Sequence, residues 1–159
     1  MRRTLSLLCA LMVVVLIAGP AAADRPEHVR VTDPVTFVLP ADDFCAGFDV
    51  EISYQQNYHV TIFGAETGWG FTAIAAGFLK TSATNLTSGE TINLNIPGPG
   101  FLNDSGIPIV GTGTWLIFLP GDPGSIEYVV GDIEFVETEF GVDIGTVHGT
   151  RQDLCSTLA

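Results

Sequence analysis

Alternation of apolar and polar residues is the strongest pattern in this chain. Residues 48–54 place aromatic and aliphatic side chains on one side, and aspartate, glutamate and serine on the other. The same period of two resumes at 58–62 and recurs at 91–96. A period of two with one polar side is typical of antiparallel strands that cover a core with one face. The pattern predicts a sheet, with a hairpin turning at 55–57.

Other segments predict further strands and almost no helix. Residues 35–39 form a short apolar run between two prolines, and 115–119 is apolar on both sides, as in a strand covered on both faces. The alternation changes phase within 132–140, so we expect a bulge near Phe135 and Val136. No stretch shows the sustained three-four spacing of an amphipathic helix.

The predicted fold is a single all-β domain at 35–159 with about eight or nine strands. Successive strands read as hairpins, which favours an up-and-down meander. Closing a meander into an antiparallel β-barrel removes its exposed edges, so the barrel is the expected architecture. A two-sheet β-sandwich satisfies the same pattern. Residues 24–34 are polar and unpatterned and are expected to form a flexible lead-in.

The start of the chain has the form of a secretory signal peptide. Two arginines precede an apolar run at 5–18, and three alanines at 21–23 follow Gly19 and Pro20. The run is shorter than the roughly 20 residues that span a bilayer. We expect cleavage after residue 23 and a secreted chain without a membrane span. The paired arginines also admit the twin-arginine route, although the very apolar run favours ordinary secretion.

Charge narrows the class of partner. The chain carries 18 acidic and 6 basic residues, a formal net charge of −12. Loss of Arg2 and Arg3 with the signal peptide would make it more negative. Nucleic-acid binding depends on lysine and arginine neutralising phosphates, so nucleic acids are excluded as partners, and anionic membrane surfaces are disfavoured. The acidity is instead consistent with solubility outside the cell.

Two cysteines survive removal of the signal peptide, Cys45 and Cys155, because Cys9 lies inside it. An even pair in an exported protein usually forms a disulfide bond. Such a bond would tie the last residues to the segment that precedes the 48–54 strand. A reactive thiol would need a neighbouring base or a Cys-x-x-Cys arrangement, and neither is visible.

Several segments together resemble one group of proteins. The segments are FVLPADDFCAGFDV, TNLTSGETINLNIPGPG, GTWLIFLPGDPG and the late DLC. They are similar to those of an uncharacterised family of small secreted all-β proteins from high-GC Gram-positive bacteria. The resemblance implies an all-β fold and a bond between Cys45 and Cys155, and it brings no catalytic residues.

Candidate catalytic and metal-binding residues lack the spacing that their chemistry needs. The three histidines, His28, His59 and His148, show no chelating motif, and no serine lies within Gly-x-Ser-x-Gly. We therefore assign no catalytic residue, metal site or cofactor. Paired carboxylates such as Glu137 and Glu139 leave an alternative open, a small secreted hydrolase or isomerase.

The predicted ligand-binding residues are Trp69, Phe101, Asn103 and Asp104. Trp69 lies in a glycine-rich loop and the others in the long connection 97–108, a length at which loops are often functional. A loop tryptophan can stack on a sugar or border an apolar cavity, and it can equally plug one end of a small barrel. The favoured function is non-catalytic binding of a small apolar molecule, a glycan or an extracellular protein. A cell-surface structural component is a further alternative.

Overall fold

The computed structural model describes residues 25–64, 68, 70–122, 124–138 and 141–159. It contains one antiparallel sheet of nine strands and a single helical turn near the C-terminus. The strands are β1 (Glu27–Val31), β2 (Val35–Leu39), β3 (Val50–Ile62), β4 (Ala73–Asn85), β5 (Thr91–Pro97), β6 (Gly100–Leu102), β7 (Pro108–Leu119), β8 (Ser125–Thr138) and β9 (Gly141–Asp153), and the turn is α1 (Cys155–Leu158). The all-β prediction is confirmed, and the predicted signal peptide 1–23 lies outside the described residues.

The predicted hairpin at 55–57 is wrong, because β3 runs through these residues as one strand. Tyr54 and Tyr58 are an even number of residues apart, so alternation keeps its phase across the polar interruption. A straight strand can therefore hold both tyrosines on one face without a turn. β4 lies beside β3 along its whole length, from Val50 opposite Asn85 to Ile62 opposite Ala73.

The strands follow a meander, except that two places in the sheet are each filled by a pair of short strands. β1 and β2 both pair with β3 in the same register, with Val31 opposite Tyr58 and Val35 opposite Tyr54. β5 and β6 likewise follow one another along β4. The remaining strands pair in chain order, β6 with β7, β7 with β8 and β8 with β9. The segment 24–34, expected to be a flexible lead-in, thus contains strand β1.

The sheet does not close into the predicted barrel. Its path runs from β1 to β9, and within the described ranges no ladder joins the last strand to the first. Instead the sheet folds over on itself, so that Phe37 on β2 contacts Phe118 on β7 with ring centroids 5.7 Å apart. One buried face can lie inside a barrel or between two layers, and alternation alone does not distinguish them. The packing is therefore sandwich-like, although the structure has one sheet rather than two.

The main core lies where the two layers meet, and we call this region the disulfide end. Val50 and Ile52 on β3 and Ile126 on β8 are fully buried there. The cluster also includes Leu39, Cys45, Ala83, Leu154 and Leu158. The predicted bond between Cys45 and Cys155 is present, with 5.3 Å between the Cα atoms. It fastens α1, whose Leu158 is buried, to the loop between β2 and β3.

A band of glycines crosses the sheet between the disulfide end and the other half, which we call the open end. Gly113 pairs with Gly131, and Gly131 pairs with Gly149. The neighbouring ladders place Gly77 and Gly98 in the same row. A Cβ atom on any of them would lie under 3.0 Å from a backbone atom of an adjacent strand. Glycine inside strands marks close backbone approach, and this row separates the disulfide end of the sheet from the open end.

The predicted bulge is present one step earlier than expected. The register between β8 and β9 shifts between Ile133 and Phe135, where β9 carries the extra residue. Ile133 and Phe135 stay on the inner face, whereas Val136 is 51% exposed. The phase change in the sequence therefore marks the point where the inner face ends near the tip of β8.

Candidate ligand-binding cleft

A mostly apolar cleft of about 380 Å³ opens beside the glycine band, on the inner face of the folded sheet. It is lined by residues of β3, β4, β5, β6 and β7 and of the loops between them. These residues are Tyr54, Gln56, Tyr58, Val60, Ala75, Ala76, Gly77, Phe78, Leu79, Ile96, Gly98, Gly100, Leu102, Gly106, Pro108, Thr114, Trp115 and Leu116. Clefts of a few hundred Å³ with apolar and aromatic walls are the usual form of a small-molecule site.

The cleft exists because small residues occupy one row of the inner face. The ladders place Val60 opposite Ala75, Ala75 opposite Gly100 and Gly100 opposite Gly111. Residues directly opposite on neighbouring strands share a face, so this row is continuous. Alanine and glycine leave a space here that larger side chains would fill.

The indole of Trp115 covers part of this row. A Cβ atom on Gly100 or Gly111 would overlap the six-membered ring of Trp115, so the ring lies directly against both glycines. Its Nε1–H donates to the carbonyl oxygen of Thr112 at 3.4 Å. Its ring contacts Phe135 edge-on, with centroids 5.1 Å apart and planes at 63°. These contacts fix the indole as one wall of the cleft.

Tyr54, Gln56 and Tyr58 border the cleft from β3, where alternation puts all three on the inner face. Burial raises the pKa of the Tyr54 phenol well above its usual range. Tyr54 is therefore neutral at physiological pH and can donate a hydrogen bond. Together with the Gln56 amide, these hydroxyls give an otherwise apolar cleft one polar side.

The three predicted ligand-binding residues that the structure describes, Phe101, Asn103 and Asp104, do not line this cleft. Trp69 lies outside the described residues. Phe101 is on β6 between Gly100 and Leu102, which line the cleft, so its side chain points to the opposite face. There it contacts Phe71, with ring centroids 5.0 Å apart.

Asn103 and Asp104 lie in a tight turn. The Asn103 side-chain oxygen accepts hydrogen bonds from the backbone N–H groups of Ser105 and Ile107, at 3.0 and 2.9 Å. Such a bond to the backbone two residues on is an Asx turn. Asp104 is exposed in the same turn. Asn103 therefore shapes the loop that brings Gly106 to the mouth of the cleft.

The carboxylates of the described part of the chain do not converge on the cleft. Glu137 is exposed at the end of β8, and Glu139 lies outside the described residues. Glu127 is buried, but it pairs with Arg151 through contacts of 2.9 and 3.1 Å. Hydrogen bonding from Arg151 lowers the pKa of Glu127. An ionised, paired carboxylate does not have the raised pKa of a general acid.

Clusters of metal-ligating side chains and long apolar helices are also absent from the ranges that the structure covers. No group of three or more histidine, cysteine, aspartate or glutamate residues is close enough there to hold a metal ion. Within the same ranges, no helix has the length and apolar character needed to cross a membrane.

Comparison with known proteins does not identify a family. No protein-family model, no curated protein and no solved structure matches the chain.

The cleft residues escaped the sequence analysis for an identifiable reason. Tyr54, Tyr58 and Trp115 read as strand residues of a core, and their half-buried positions agree with that reading. What makes them a site is the row of Ala75 and Gly100 opposite, which only strand pairing brings together. The one local signal was the glycines inside strand patterns, which mark close backbone approach.

Proposed function

We propose that the chain is exported, loses residues 1–23 and acts outside the cell as a non-catalytic binding protein for a small apolar molecule. The observation that carries this proposal is the cleft between Trp115 and the Tyr54–Tyr58 side of β3. Export is supported by the apolar start of the chain and by the bond between Cys45 and Cys155, since such bonds persist in oxidising compartments. Mass spectrometry of secreted material should show a mature N-terminus at Asp24.

The lining of the cleft defines the ligand by shape and charge. The Trp115 ring offers a flat apolar surface, and Leu79, Ile96 and Leu102 extend it. Tyr54 and Gln56 can meet one polar group of the ligand. Among the residues that the structure describes, no aspartate, glutamate, lysine or arginine lines the cleft, and the chain is strongly acidic. The ligand is therefore an uncharged molecule with a ring or a short aliphatic body and one hydrogen-bonding group.

Fluorescence of Trp115 tests this proposal directly. The chain has two tryptophans, so Trp69→Phe leaves Trp115 as the single reporter. Titration with a panel of small neutral aromatic and aliphatic compounds should shift or quench its emission, and the same compounds should raise the melting temperature.

A matched pair of variants separates cleft binding from general effects. Ala75→Leu fills the floor of the cleft and should weaken binding at least tenfold. Ala46→Leu makes the same change at an exposed position near the disulfide bond and should leave binding unchanged. Equal affinities in the two variants, or no response to any compound of the panel, would refute the proposed site.

A further inference from the structure

The outer face of β3, β4 and β5 carries a group of mainly uncharged polar side chains. Cross-strand pairing places Ser53, Ser82 and Asn93 in one row, and Gln55, Lys80 and Asn95 in the next. We call these six residues the outer polar face. They line a shallow groove of about 370 Å³, on the side of the sheet opposite the apolar cleft.

This face is nearly uncharged in a strongly acidic chain. Lys80 is the one ionised side chain of the six, whereas the chain as a whole has a formal net charge of −12. The outer face of β8 shows the contrast, because Asp132 and Glu134 follow one another there as exposed residues. Charged side chains on a surface favour solubility, so a need for solubility does not explain why this face is nearly uncharged. A neutral face in an acidic protein fits a neutral ligand.

Three side chains of this face, those of Ser82, Asn93 and Asn95, are available for a ligand. At the edges of the face, hydroxyls pair with each other, Thr36 with Ser53 at 3.1 Å and Thr84 with Thr91 at 3.0 Å. Among the residues that the structure describes, no hydrogen-bond partner is found for the side chains of Ser82, Asn93 or Asn95. Each amide offers two N–H donors and one oxygen acceptor. The rows lie across strands about 4.8 Å apart, so the groups are regularly spaced.

An exposed aromatic ring lies beside this array. Phe78 also borders the apolar cleft, but alternation along β4 places its side chain on the outer face with Lys80, and it is 38% exposed there. The Lys80 Nζ atom lies 6.0 Å from the centre of its ring. Pro97 pairs with Phe78 and is also exposed, so the two form a small apolar step at the end of the groove.

We propose that the outer polar face binds a neutral polysaccharide chain, independently of the apolar cleft. Sugar rings present C–H groups on their faces and hydroxyl groups around their rims. The apolar surfaces of Phe78 and Pro97 match the C–H groups, and the amides of Asn93 and Asn95 match the hydroxyl groups. The sheet holds the backbone of these residues in fixed positions, so that little backbone freedom is lost on binding.

Affinity electrophoresis tests this proposal with the intact disulfide-bonded chain. The protein runs through native gels that contain a neutral glucan, mannan, xylan or galactan, and through a gel without polysaccharide. We expect retarded migration in at least one of the four. Phe78→Ala should reduce the retardation several-fold, and the double variant Asn93→Ala/Asn95→Ala should reduce the affinity at least tenfold.

Controls separate this site from the cleft and from loss of folding. Thr146→Ala/Thr150→Ala changes two exposed residues of β9 and should leave retardation unchanged. Ala75→Leu, which fills the cleft, should also leave it unchanged, so failure of one proposal does not imply failure of the other. Unretarded migration in all four gels would overturn the polysaccharide site, and so would full retardation of the double asparagine variant with wild-type circular dichroism.

Discussion

The two ends of the folded sheet bury their inner face in different ways. At the disulfide end two layers meet, and Val50, Ile52 and Ile126 are fully buried between them. At the open end the inner face carries Ala75 and Gly100, next to a smaller buried cluster around Ile133, and the Trp115 indole lies across the sheet. The alternating pattern is the same at both ends, so the difference comes from side-chain size. Large aliphatic residues make a closed core, and small ones leave a cleft beside it.

The largest effect should follow from removing the bond that holds the disulfide end together. Cys45→Ser/Cys155→Ser releases a loop of 110 residues. Closing a loop of about 100 residues is worth up to ~4.7 kcal/mol in the chain-entropy model. We expect urea unfolding to show a loss of about 2–5 kcal/mol in the free energy of unfolding. A loss below 1 kcal/mol would mean that the buried cluster alone fixes α1.

Truncating a core residue at each end should sharpen the contrast. Ile52→Ala removes a fully buried side chain at the disulfide end, where large-to-small changes cost about 2–5 kcal/mol. Leu102→Ala removes a half-buried side chain beside the cleft and should cost only about 1 kcal/mol. Chemical denaturation of both variants measures the difference. Equal losses would show that the open end is as tightly packed as the disulfide end.

A glycine substitution in the band should have an intermediate effect. Gly131 has φ near 139°, and a Cβ atom there would strike the carbonyl oxygen of His148. Gly131→Ala therefore adds steric conflict to backbone strain, which alone costs about 1–3 kcal/mol. Gly106 also has positive φ, but open space surrounds it, so Gly106→Ala should cost less. If the two variants have the same melting temperature, the band does not depend on close backbone approach.

Much of the fold could be predicted from local patterns, because alternation reports which face of a strand is covered. The strand at 35–39 matches β2, and the 91–96 strand matches most of β5. β1 escaped prediction because its apolar residues, Val29 and Val31, are few and its other positions are polar and exposed. The barrel prediction was wrong because closure depends on which strands pair at the edges of the sheet, and alternation carries no information about that pairing.

The site could not be predicted, because it consists of positions that are distant in sequence. Gly100 and Gly111 become neighbours through a ladder, and Trp115 then lies over both. The sequence pattern favours Phe101, the residue after Gly100, because aromatic residues in loops are common ligand contacts. A shift of one residue on a strand reverses the face, which is why Phe101 points away from the cleft.

The smallest expected effect concerns the ion pair between Glu127 on β8 and Arg151 on β9. Arg151 donates two hydrogen bonds to the Glu127 carboxylate, and these lower the pKa of Glu127. The Arg151 side chain remains 47% exposed. A carboxylate with a lower pKa in the folded state stabilises the fold above its ordinary pKa, and this contribution is lost as the pH falls through the folded-state value. Glu127→Gln should therefore be less stable than the wild type by about 1 kcal/mol at pH 7, where the pair is ionised.

The difference between the two proteins should shrink as the pH falls below about 4, the usual range of a glutamate pKa. Urea unfolding at pH 7, 5 and 3 measures it, with Glu137→Gln as a control because Glu137 is exposed on the same strand. The control should track the wild type at every pH. A Glu127→Gln deficit that persists unchanged at pH 3 would assign the effect to packing or hydrogen bonding rather than to charge. The pair would then stabilise the contact between β8 and β9 without a pH dependence, as buried aliphatic residues do.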